Sequence, residues 1–81
     1  MNRKKLHEIL DLVLDINETE ASAFFDFAGH VDNLVVYVYE KGWKAYDDPD
    51  YRQVVYGDEE DEINKIINDL KNMKEGKAHE N

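Results

Sequence analysis

The stretch NLVVYVY, residues Asn33 to Tyr39, decides the fold. It is a run of β-branched and aromatic side chains, which suit a pleated, half-buried surface, so it predicts a strand. Successive side chains in a strand point to opposite faces. Leu34, Val36 and Val38 therefore share one face, and Val35, Tyr37 and Tyr39 the other. The aliphatic face is assigned to a covering layer of helices. The tyrosine face, with Trp43, is left on the outside. A register slip of one residue would exchange the two faces.

Working outward, Ser22 to Ala28 carries Phe24, Phe25 and Phe27 and reads as a preceding strand, joined through the turn Gly29-His30-Val31-Asp32. After Tyr39, Glu40-Lys41-Gly42 predicts a short hairpin with a bulge, because glycine takes the left-handed conformation that a β-carbon excludes. Trp43 to Tyr46 is the expected return strand. Asp47-Asp48-Pro49-Asp50 breaks it, since proline lacks the ladder donor and aspartates favour turns. Tyr51 to Tyr56 reads as a further short strand.

Helical spacing appears at both ends. Leu6, Ile9, Leu10, Val13 and Ile16 predict a helix from Arg3 to Asn17, with Asn2 as N-cap. Leu12 and Leu14 widen its apolar stripe. At the other end, Ile63, Ile66, Ile67, Leu70 and Met73 form one stripe. Asp58 is the expected N-cap there, Glu59 to Glu62 fill the first turn, Lys71 and Lys74 the last, and Gly76 suits a left-handed end cap. The expected fold is an α+β two-layer sandwich, order α-β-β-β-(β)-α, with an antiparallel meander sheet and both helices on one face. It would form one domain over residues 1–76, followed by a frayed tail at 77–81.

Composition narrows the function classes. The 81 residues carry a net charge of −9 and no cysteine. Disulfides, thiolate metal sites and a cysteine nucleophile are thus excluded, and a reducing, cytoplasmic setting is expected. No apolar run approaches the roughly 18–20 residues of a membrane span. The basic start at Arg3-Lys4-Lys5 leads into residues broken by His7, Glu8, Asp11 and Asp15, unlike a secretory signal. Phosphates repel so acidic a surface, so direct nucleic-acid binding and anionic membranes are disfavoured and a basic protein partner is favoured.

The charge is concentrated in DDPDYRQVVYGDEEDE, Asp47 to Glu62, where eight carboxylates meet one cation, Arg52. Carboxylates at a helix N-terminus meet the positive end of the macrodipole, and aspartates beside proline are ordinary turn residues, so a solvated structural role accounts for much of this run. The functional reading is a docking patch for a basic surface, made of Asp47, Asp48 and Asp50 before the last strand and Asp58, Glu59, Glu60, Asp61 and Glu62 after it. A six-residue strand would hold the two groups roughly 20 Å apart. An EF-hand reading beginning at Asp48 fails, because Arg52 falls on a ligand position and Gln53 where glycine is required.

Other chemistry is sparse. His7 and Asp11 share a helix face but supply two ligands where zinc requires three or four. Ser22 is the sole serine, set beside phenylalanines. No P-loop, dinucleotide, zinc-protease or nucleophile-elbow pattern occurs. No catalytic residue, metal or cofactor is expected. Trp43, Tyr46 and Tyr51 flank the acidic turn, with Tyr37 and Tyr39 on the neighbouring strand. Aromatics on a sheet are usually packing, but an open aromatic face marks an interaction surface. The expectation is a small, non-catalytic binding protein of the inhibitor, immunity or nucleic-acid-mimic type. Its size, acidity and lack of cysteine suit a phage or mobile element. The alternative is a self-associating, homodimeric structural or regulatory domain.

Overall fold

The computed structural model describes residues 2–75. Helix α1 spans Arg3–Ile16, strands β1, β2 and β3 span Ser22–Ala28, Asn33–Tyr39 and Tyr51–Tyr56, and helix α2 spans Glu60–Lys74. The strands form an antiparallel meander in the order β1-β2-β3. This is the expected α+β arrangement, α-β-β-β-α. The glycine cap at Gly76 and the tail at 77–81 lie outside the described residues.

Asn2 caps α1: its side-chain oxygen accepts from the Lys5 N–H at 3.1 Å. The α1 stripe buries Ile9, Leu12, Val13 and Ile16, while α2 buries Ile63, Ile66, Ile67 and Leu70. Both stripes meet one face of the sheet. Leu34, Val36 and Val38 are fully buried there, joined by Ala23, Tyr51 and Val55 in one apolar cluster. Leu14, expected to widen the stripe, is instead exposed. It lies beyond the arc of α1 that meets α2 and the sheet.

Three strands separate the helices, so α1 and α2 run in the same direction. The ion pairs record it. Lys5 near the start of α1 reaches Glu60 at the start of α2 at 2.7 Å, and Asp15 near the end of α1 reaches Lys74 near the end of α2 at 2.9 Å. Glu8 and Lys71 pair between them at 3.4 Å. Parallel dipoles side by side repel. Here Lys5 of α1 faces the acidic first turn of α2, and Glu8 and Asp15 of α1 face its basic last turn.

Two local expectations are corrected. Trp43 to Tyr46 forms no strand. β2 lies between β1 and β3, and the place beside it goes to Tyr51–Tyr56. Residues 40–50 are instead a closed loop, pinned where the Asp50 N–H donates to the Val38 carbonyl at 2.9 Å and the Glu40 N–H to the Asp50 carboxylate at 2.7 Å. Gly42 does take a positive φ, +91°. A β-carbon there would also lie 3.2 Å from the Glu20 carbonyl oxygen. The second correction concerns α2. Its N-cap is Glu59, not Asp58, and it makes no side-chain cap bond. The first helical bond runs from the Ile63 N–H to the Glu59 carbonyl at 3.0 Å, which leaves Asp58 one residue too early.

Candidate docking surface

The register fixes what the second face of the sheet carries. Phe24 lies opposite Tyr37, which lies opposite Arg52; Asp26 lies opposite Val35 and Val35 opposite Val54; Ser22 pairs with Tyr39 and Asn33 with Tyr56. Among the described residues no helix or strand covers this face. Its aromatic side chains cover one another instead. The Phe24 and Tyr37 rings stack with centroids 4.8 Å apart and planes 9° apart. Tyr39 meets both edge-on, at 5.8 and 6.2 Å. These spacings lie within the preferred aromatic range. Mutual packing leaves Tyr37 and Tyr39 half-buried, with Tyr56 65% exposed at the far corner.

The other proposed site residues divide into three groups. Trp43 is 58% exposed and Tyr46 fully exposed, both on the loop after β2. The Trp43 N–H donates to the Ser22 hydroxyl at 3.0 Å, which ties the loop to the start of β1. Asp47 and Asp48 are exposed on the same loop. Asp50 belongs to the turn that closes it. Asp58, Glu59, Asp61 and Glu62 are exposed beyond the other end of β3, where Glu60 bonds Lys5. Strand β3 therefore stands between the two acidic groups, and they do not merge into one cluster.

Tyr51 is not on the exterior. It is 7% exposed, on the helix-facing side opposite Val38. Its hydroxyl donates to Asp69 of α2 at 2.8 Å, and Lys65 shares that carboxylate at 3.0 Å. Burial first, then the bond to Asp69, pushes the phenol well above the usual tyrosine range. Tyr51 thus anchors α2 to the sheet.

Sequence reasoning missed two contributors. Phe24 is the centre of the aromatic cluster, yet FFDF could be read with either parity. Asn17 is the other. Its amide donates to the Ala23 carbonyl and accepts from the Ala23 N–H, both at 2.8 Å. It thereby occupies the outer edge of β1 as a neighbouring strand would.

Among the described residues, no group of three or more His, Asp or Glu side chains is placed to hold a metal ion. No helix among them is long and apolar enough to cross a membrane. A cleft of about 300 Å³ lies at the carboxyl ends of both helices, lined by Ile16, Thr19, Val38, Glu40, Met73 and Lys74. The adjacent Asp15 carboxylate raises the Lys74 pKa by hydrogen bond and charge, holding that ammonium in the interhelical pair. Comparison of the chain with protein-family models, curated proteins and solved structures finds no match.

Proposed function

We propose that this protein is a small, non-catalytic binding module that docks a basic protein through the open aromatic face of its sheet. The observation that carries this reading is the Phe24–Tyr37–Tyr39 cluster, built on the sheet and left without a covering helix or strand among the described residues. Aromatic side chains bring large contact area at low entropic cost and dominate binding hot spots. Asp47 and Asp48 at one end of β3, and Asp58, Glu59, Asp61 and Glu62 at the other, add a negative rim. With a net charge of −9, such a rim speeds encounter with a cationic surface and selects against anionic ones. An inhibitor or immunity-type protein, or a nucleic-acid mimic, in the cytoplasm would work this way.

The test is capture of a partner on immobilised protein at low and high salt. Wild type is expected to retain a basic protein at low salt and release it at high salt. Tyr37→Ala, and separately lysine at Asp58, Glu59, Asp61 and Glu62, should each abolish retention. Retention unaffected by both changes would remove the reading.

A second reading is favoured by the exposure of Trp43 and Tyr56, which a symmetric dimer would bury. Sedimentation at micromolar concentration separates the two: a monomer excludes the dimer.

A further inference from the structure

The two edges of the sheet are not equivalent, and β1 carries the more specific signal. Asn17 bonds both the N–H and the C=O of Ala23 from outside the sheet. In an antiparallel strand both groups of a residue point to the same side, and residues two apart share it. Phe25 and Phe27 therefore turn their N–H and C=O groups away from β2, toward the open edge. β1 is the outermost strand of the order β1-β2-β3. Between those two residues stands Asp26, exposed on the outer face. Its partner across the sheet is Val35, and it makes no ion pair among the described residues. Phe25 and Phe27 point to the helix side, where α1 leaves Leu10 and Leu14 exposed.

We infer that the edge of β1 accepts an extended segment of the partner as a fourth strand, with a lysine or arginine opposite Asp26 between two apolar residues. The backbone of Phe25 and Phe27 supplies the ladder. The apolar residues lie on the side of Leu10 and Leu14, and the cation lies on the outer face beside the aromatic cluster. A second copy is a poor occupant. The antiparallel register that pairs Phe25 with Phe27 of the other copy, and Phe27 with Phe25, sets Asp26 directly opposite Asp26. Like charges directly opposite destabilise a strand pair. Asn17 blocks the register centred on Phe25, because Ala23 is already bonded. The inference deepens the proposed function by naming the chemistry of the docking segment.

Two capped heptapeptides, TYVKVYT and TYVEVYT, test it by NMR titration of the 15N-labelled protein at low salt. Both read the same in either direction. The lysine peptide is expected to shift the Phe25 and Phe27 amides more than those of Arg52 and Val54 on β3, and to bind about three- to tenfold tighter than the glutamate peptide. Asp26→Lys should invert that preference, and Asp26→Asn should erase it; the spectra themselves report whether each variant is folded. Phe25 and Phe27 amides unmoved at millimolar peptide, or equal binding of both peptides, would overturn the inference. So would a concentration-dependent shift at these amides without peptide, which would mark a second copy as the occupant. Partner capture that survives Asp26→Lys but fails in Tyr37→Ala would overturn the edge and leave the aromatic face standing.

Discussion

The two faces of the central strand differ in what completes them. Leu34, Val36 and Val38 are fully buried because two helices cover them. Val35, Tyr37 and Tyr39, one residue out of step, are only half-buried; Tyr37 and Tyr39 pack on Phe24 and on each other, and Val35 lies between Asp26 and Val54. Both faces are apolar in sequence. A strand can thus be written for burial on both sides while, among the described residues, helices cover only one.

The largest effect should come from breaking the covered face. Leu34→Ala removes a fully buried side chain from the centre of the core and should cost about 2–5 kcal/mol, enough to unfold much of so small a domain. Val35→Ala, its neighbour on the open face, should cost less than about 1 kcal/mol. Urea denaturation of the two variants measures the contrast directly.

Asn17→Ala should come next. It leaves both backbone groups of Ala23 without their bonds, and a loss of about 1–2 kcal/mol is expected in the same urea experiment. Amide exchange at Ala23 should rise with it.

Tyr51→Phe sharpens the comparison from the buried side. The hydroxyl bond to Asp69 is worth about 1–2 kcal/mol, and its loss should lower the thermal midpoint. The pH dependence has a fixed sign. The folded phenol titrates above its unfolded value of about 10, so its contribution is fully present below pH 10 and is lost as pH rises beyond it. Wild type should lose stability on the alkaline side more steeply than Tyr51→Phe. A residual decline common to both is expected from Lys74, which the Asp15 carboxylate also shifts upward.

The smallest effect should be at the interhelical charges. Lys5→Ala should cost less than about 1 kcal/mol, because exposed pairs are weak, and the cost should shrink in high salt. Equal salt sensitivity in wild type and Lys5→Ala would show that this pair contributes nothing.

Much of this arrangement was legible in the residues. The run at 33–39, the two helical stripes and Asn2 as a cap each obey a local rule, and the structure follows them. What was not legible depends on pairing. Trp43 to Tyr46 has strand-like composition, but strandhood needs a free edge, and β3 occupies the one beside β2. Tyr51 looked like a member of the aromatic surface because YRQVVY alternates weakly: Gln53 shares the helix-facing side with Val55, while Val54 and Tyr56 face outward. Only the pairing of Tyr51 with Val38 fixes that parity. Glu60, Asp61 and Glu62 do lie in the first turn of α2, as the sequence pattern predicts, but the reach of Lys5 to Glu60 across 55 positions of sequence has no local signature.

The most direct test of the one-sided sheet is hydroxyl-radical footprinting of the free protein at low micromolar concentration. Trp43, Tyr46 and Tyr56 should be modified fastest, Tyr37 and Tyr39 at intermediate rates, and Tyr51 should be protected until the chain unfolds. Protection of Tyr37, Tyr39 and Trp43 equal to that of Tyr51 would mean that the second face is already covered, and the proposed docking surface would not exist.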